Sequence, residues 1–320
     1  MKWKRIALCL AAALCLALCA CGGKTGPAPA PAGEAPAETK APETPAPETP
    51  PPETPEPTPE PTPEEWFQRG CAAYDAKDYE EAASCYEKAA AQGHAPAQNE
   101  LGNCFRLGRG RAQDHGAAAA WYERSAEQSC AAGQNNLGFC YENGLGVEQD
   151  VEKAAALYRA AAGQGYPRAQ NNLGTCYLYG RGVTRDDAEA VRWYEAAAGQ
   201  GDLMACYNLG QCREKGRGCE KDLALAAEWY RKALDGDPED GDDAGRVRAR
   251  YYLGMLYLNG NGVPQDFDAA IENIRRSAED GFAKAQYQLG LLYQNGEGVE
   301  QDAEEAQKWF DLAKTQGYQP

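Results

Sequence analysis

The chain has 320 residues, 48 acidic against 32 basic side chains, and a formal net charge of −16. Phosphate binding needs clustered Lys and Arg, so this balance argues against a nucleic-acid partner. The length would fit two domains of ordinary size, but a short internal period overrides such a count, and this chain has one.

Residues 1–20 read as an export signal. Lys2, Lys4 and Arg5 precede fifteen apolar residues, Ile6 to Ala20, a run short for a bilayer span and suited to a signal-peptide core. Leu18-Cys19-Ala20-Cys21 then resembles a bacterial lipobox, which implies cleavage before Cys21 and a lipid on its thiol. The expected location is the outer side of a bacterial cytoplasmic membrane. A secretory signal without lipid is the other reading of this leader.

Residues 21–63 continue in Pro, Glu, Thr and Ala, as in PETPAPETPPPETPEPTPEPTPE. With so few apolar side chains this stretch buries no core, its glutamates read as solvated charge, and its prolines favour extended polyproline II. At about 3.1 Å per residue, the 39 residues from Pro27 to Glu65 reach roughly 120 Å, the dimensions of a stalk.

From residue 64 onward the chain is repetitive. NNLGFCYENGLGVEQD (Asn135–Asp150) and NNLGTCYLYGRGVTRD (Asn171–Asp186) agree at ten of sixteen positions. The Leu-Gly pair recurs at Leu101, Leu137, Leu173, Leu209, Leu253 and Leu289, with spacings of 36, 36, 36, 44 and 36. The eight extra residues fall in an acidic insertion near 236–243. Within one copy, Leu137, Cys140 and Tyr141 mark the apolar face of a first helix, and Ala154, Leu157, Tyr158 and Ala161 that of a second. Each copy is therefore predicted to be a helical hairpin.

A glycine inside the first helix costs about 1 kcal/mol against alanine, so something in every copy must offset it. Small residues on the second helix (Ala118, Ala154, Ala190, Ala226, Ala270, Ala306) suggest that the two backbones approach closely. A Gly-x-Gly turn follows, as at Gly144 and Gly146, its first glycine suited to a left-handed helix cap. No strand precedes that turn and no third glycine follows, which excludes a phosphate loop. Four residues after the second glycine stands Asp114, Asp150, Asp186, Asp222, Asp266 or Asp302. Six carboxylates at one position are helix caps rather than catalytic acids. The Trp-Tyr pairs, such as Trp121-Tyr122 and Trp193-Tyr194, are expected to pack between neighbouring hairpins.

The pattern A-x-x-x-L-G-x-x-Y, then G-x-G-V-x-x-D-x-x-x-A-x-x-W-Y-x-x-A, resembles the Sel-one-like repeat (SLR) family, relatives of the tetratricopeptide repeat (TPR). Six copies fill residues 95–320. A seventh unit, residues 64–94, lacks the Gly-x-Gly turn and resembles an ordinary TPR hairpin through Gly70, Tyr79, Ala82, Tyr86 and Ala89. The resemblance implies an all-α, right-handed α-solenoid of stacked hairpins whose first helices line a concave surface used for protein–protein contact. Transferred to this sequence, the groove would be lined by Asn99, Asn135, Asn171, Tyr207, Tyr251 and Tyr287. One turn on come Asn103, Phe139, Thr175, Gln211, Met255 and Leu291.

Nine cysteines follow Cys21. Cys104, Cys140, Cys176 and Cys212 occupy a column that Leu256 and Leu292 fill in the last two copies, so they are expected as buried free thiols rather than as a disulfide framework. No C-x-x-C, H-E-x-x-H or G-x-S-x-G is present, and His94 and His115 read as surface histidines without a task. The insertion DGDPEDGDD invites a calcium hypothesis, but Asp240 stands where an EF-hand loop needs glycine, and a solvated loop is the simpler reading. The expected function is thus a non-enzymatic interaction scaffold with no cofactor, displayed from the membrane and binding a protein or peptide. The alternative is a cell-envelope enzyme acting on cell-wall material or β-lactams.

Overall fold

A computed structural model describes residues 60–235 and 244–318. The leader with Cys21, the Pro/Glu-rich stretch to residue 59 and the acidic insertion with its calcium hypothesis lie outside the described residues. Among the described residues there are fourteen α-helices and no strand. They form seven consecutive hairpins: α1 (Pro63–Asp75) with α2 (Tyr79–Ala91), α3 (Ala95–Leu107) with α4 (His115–Glu127), α5 (Ala131–Asn143) with α6 (Val151–Gly163), α7 (Pro167–Tyr179) with α8 (Asp187–Ala198). The last three are α9 (Leu203–Lys215) with α10 (Leu223–Asp235), α11 (Ala244–Asn259) with α12 (Phe267–Glu279), and α13 (Ala283–Asn295) with α14 (Ala303–Thr315). Each hairpin packs on the next, which makes the array an all-α solenoid.

The mid-helix glycine is explained by what stands opposite it. A Cβ on Gly210 would lie 2.3 Å from the Tyr230 ring, and one on Gly102 2.6 Å from that of Tyr122. The close approach is real, but the ring of the second helix claims the space before its alanine does: at Gly174, Tyr194 would stand at 2.8 Å and the Ala190 carbonyl at 3.1 Å. Tyr122, Tyr158, Tyr194 and Tyr230 are fully buried as a result. Full burial of such a ring stabilises by roughly 2–3 kcal/mol, which outweighs the helix cost of glycine.

The turn and caps follow the sequence expectation. Gly144 ends α5 in the left-handed region (φ 67°), and the six aspartates each accept a backbone N–H at 2.9 Å from the residue three further on. The second turn glycine works between hairpins. A Cβ on Gly146 would sit 2.1 Å from the His115 carbonyl oxygen, so the turn of one hairpin rests on the start of the preceding second helix. Trp121, Trp193, Trp229 and Trp309 pack on the cluster formed by the preceding second helix and their own first helix, between hairpins as predicted.

All nine array cysteines are free thiols, and Cys104, Cys140, Cys176 and Cys212 are buried in the slot that leucine takes elsewhere. Burial pushes the Cys104 and Cys140 thiols up to about 11 and those of Cys176 and Cys212 up to about 12. His94 departs from the expectation of a histidine without a task. Its Nδ1 accepts the Ala97 N–H at 3.2 Å and so caps α3, its Nε2 meets Glu64 at 3.0 Å, and its ring lies on Phe67.

Candidate partner-binding face

The sequence expectation placed two columns of the first helices on one open face. The structure separates them. Asn99, Asn135 and Asn171 are 3, 5 and 8% exposed, and their side-chain carbonyls accept hydrogen bonds from the next hairpin. Asn136 donates to Asn99 at 2.8 Å, Asn172 to Asn135 at 3.0 Å, and Asn208 to Asn171 at 2.8 Å. This correction has a simple cause. A buried amide needs a partner, and residues 37 positions apart on successive first helices supply it, so the column is a seam between hairpins, of which Asn171 alone also borders a concavity described below.

At the next junction the same two positions are Tyr207 and Tyr252, whose ring centroids are 5.9 Å apart. Tyr251 stands against Tyr252 at 5.0 Å and Phe282 at 5.3 Å, and Tyr287 against Phe310 at 5.2 Å. All three candidate tyrosines are therefore half-buried, with only part of each ring open. The seam changes from an amide pair to an aromatic pair at the junction of the fourth and fifth copies, where α11 is lengthened to 16 residues.

The second candidate column lies nearer the surface. Asn103, Thr175, Gln211, Met255 and Leu291 are half-buried and Phe139 is exposed. Three of them also serve the buried tyrosines: Asn103 accepts from the Tyr122 hydroxyl at 2.8 Å, Thr175 pairs with Tyr194 at 3.1 Å, and Gln211 donates to Tyr230 at 2.9 Å. Glu142 and Glu214 accept from Tyr158 and Tyr230. Burial raises all four tyrosines above the ordinary range, so these hydroxyls remain protonated donors.

Four of the twelve candidates come together. Asn171 and Thr175 of α7 and Tyr207 and Gln211 of α9 line a concavity of about 220 Å³. Sequence reasoning missed much of the rest of its wall, including Tyr179, Met204, Lys215 and Arg217, with Arg248 reaching in from α11. Tyr179 is 57% exposed, the most open of the large hydrophobic side chains among the described residues, and the Arg181 and Arg217 guanidinium groups lie 5.3 and 5.4 Å from its ring centre. It follows Thr175 by four residues, so continuing the helical period one more turn would have found it. The remaining eight candidates do not reach this concavity.

The electrostatics of that wall run against the chain as a whole. Lys215, Arg217 and Arg248 line the concavity and no Asp or Glu does. Arg217 is engaged, with Asp187 at 3.3 Å and the Leu178 carbonyl at 2.9 Å. Hydrogen bonds from Arg185 first, and then from Arg217, hold the Asp187 carboxyl near 2. Lys215 donates to Gln211 at 2.7 Å, and neither Lys215 nor Arg248 has an ion pair among the described residues.

The Sel1 repeat family model matches residues 74–94, 95–130, 131–166, 167–202, 203–238, 247–282 and 283–318. It reaches back over the second helix of the first hairpin, the unit that resembles an ordinary TPR in sequence. No curated protein matches the chain. Among solved structures, a Sel1 repeat protein from Oxalobacter formigenes is 31% identical, with 80% of this chain and 99% of that one covered and a TM-score of 0.69. A protective antigen with an SLR fold, present in uropathogenic Escherichia coli strains, is 32% identical with a TM-score of 0.62. The match covers 80% of this chain but 54% of the antigen.

Proposed function

Since the chain belongs to the Sel1 repeat family, we propose that it is a non-enzymatic scaffold that holds a protein or peptide partner on the face formed by its first helices. Sel1 repeats generally build protein-interaction scaffolds, and quasi-one-dimensional stacking presents an extended surface without requiring chemistry of its own. One observation carries the choice of face. The repeat columns on the second helices are used up in packing, whereas the exposed Tyr179 and the cations Lys215 and Arg248, which lack ion pairs among the described residues, gather around one concavity between first helices. An exposed aromatic within reach of cations is the composition of an interface anchor.

Display from a membrane completes the reading. It rests on the basic apolar leader and on Leu18-Cys19-Ala20-Cys21, with the lipid on Cys21 and the Pro/Glu-rich stretch as spacer. Radiolabelled palmitate should enter the full chain and not its Cys21→Ser variant, and that variant should leave the membrane fraction or keep its leader. Normal processing and membrane retention of the variant would point to another anchor. For the array, capture of binding proteins from envelope extracts, run beside assays of cell-wall hydrolysis and β-lactam binding, decides between scaffold and enzyme. A saturable partner with no turnover supports the scaffold, and turnover that survives purification to homogeneity contradicts it.

A further inference from the structure

We propose that the concavity between α7 and α9 is a binding site for a peptide segment that carries an isolated side-chain carboxylate beside an aromatic or proline ring. The inference rests on the scaffold reading and names the chemistry of the partner. Three cations and no carboxylate line a cavity in a chain whose net charge is −16. Two of the cations, Lys215 and Arg248, come from separate hairpins and are without ion pairs among the described residues, Lys215 donating to the Gln211 amide carbonyl. Guanidinium and ammonium groups form charge-assisted hydrogen bonds to carboxylates, stronger than neutral ones.

The remaining wall selects a peptide. Asn171, Thr175 and Gln211 are held by hydrogen bonds within the array, while Asn208, whose amide N–H goes to Asn171, presents its side-chain carbonyl toward a peptide N–H. The open Tyr179 ring beside them suits stacking with an apolar or cyclic side chain. A volume of about 220 Å³ accommodates one or two side chains, not a folded domain. A polyanion is disfavoured by the same charge count. A nucleic acid strand would carry its phosphates past the concavity onto an array whose surface charge is predominantly acidic, whereas one carboxylate in a neutral segment meets the local cations alone.

The test uses the full chain and two capped pentapeptides, Ac-Ala-Tyr-Glu-Pro-Ala-NH2 and its counterpart with Gln for Glu, titrated calorimetrically at low salt. The Glu peptide should bind at least tenfold more tightly than the Gln peptide, and the gap should shrink as salt is raised. Lys215→Glu with Arg248→Glu should abolish the gap, while the same charge change at Arg159 and Lys314, outside the concavity, should leave it. Equal affinity for the two peptides, binding of neither up to millimolar concentration, or a gap that survives the Lys215 and Arg248 reversals would overturn the proposal. So would tighter binding of a single-stranded oligonucleotide with the same dependence on those two residues. If a captured protein partner still depends on Tyr179 while the peptide pair shows no gap, the carboxylate chemistry fails and the scaffold reading stands.

Discussion

At the scale of single residues, stability depends on what each side chain meets when its column is followed through the array. Gly210 and Gly163 make opposite predictions. A Cβ on Gly210 enters the Tyr230 ring, and that ring is held by its hydroxyl at 2.6 Å from Glu214, so Gly210→Ala should destabilise by about 1–3 kcal/mol despite better helix propensity. Gly163, at the end of α6, has nothing within 4 Å of its Cβ position, and Gly163→Ala should be neutral or stabilise by up to about 1 kcal/mol. Urea unfolding of both checks the pair, and equal midpoints would contradict the ring-on-glycine packing. Asn135→Ala should cost about 1–3 kcal/mol in the same measurement, because it strands the Asn172 amide in a half-buried seam. The glycine column was legible in the sequence, since a residue unfavourable to helices repeated in every copy demands a neighbour. The asparagine column was not: a polar side chain repeating from copy to copy on the first helices looks like the lining of an open groove, and only its pairing with residues 37 positions away reveals it as buried. The thiols of Cys104, Cys140, Cys176 and Cys212 were legible from their exchange with leucine, whereas those of Cys85 and Cys206 were not, and the buried thiols carry a prediction with pH. Six buried thiols stand at about 11 or 12 against an ordinary 9. Their protonated form is favoured in the fold, so the associated stability is whole below pH 9 and is lost as pH rises through 9 toward 12. Cys85, Cys104, Cys140, Cys176, Cys206 and Cys212 should therefore resist a thiol reagent at pH 8 until urea unfolds the array. Rapid labelling in the native state would show that the slot is open.

At the scale of helices and hairpins, local chemistry decides the boundaries. Each Gly-x-Gly turn and the aspartate after it are legible because both act within a few residues: one supplies a left-handed backbone, the other a cap for free N–H groups. Asp150→Ala should cost about 1 kcal/mol, and Asp266→Ala about the same. The two together should add, since they lie in hairpins that do not pack on each other. Thermal and denaturant unfolding of the two single variants and the double variant measures this, and a strongly non-additive double variant would mean that the caps are coupled through the array. The first hairpin lacks the turn and uses other devices. Thr62 and Glu65 form a capping box at α1, and His94 caps α3 with a ring nitrogen, a role that the usual cap residue types do not suggest. The candidate face was half legible for a related reason. Helical spacing led from Asn171 to Thr175, and the open anchor stood four residues further, at the last position of α7, beside the turn that delivers Arg181.

At the scale of the whole molecule, an array in which each hairpin touches mainly its neighbours is read by family resemblance more easily than by chemistry, and the solenoid class is accordingly legible in the 36-residue period alone. What the repeats conceal is where they differ. The amide seam gives way to an aromatic contact after Asn171 and Asn208, and the concavity sits beside that change, where Asn171 still accepts from Asn208 and Tyr207 already packs against Tyr252. Sequence comparison among the copies shows the substitution of Tyr for Asn, but the gathering of Lys215, Arg217 and Arg248 from a helix end, a turn and the next hairpin appears only once the chain is folded. The central claim, that a partner is held on the first-helix face, is tested most directly by the affinity of a captured partner for two variants of the full chain. One carries Tyr179→Ala with Phe139→Ala on the first helices, the other Arg192→Ala with Lys308→Ala on the second helices, and helix content by circular dichroism serves as the control for both. The account predicts that the first variant weakens binding by a factor of about 30 or more, as removal of anchors contributing about 2 kcal/mol would do, with the second near the unmodified chain. Unchanged affinity in the first variant and a comparable loss in the second would place the partner on the opposite face and contradict the account.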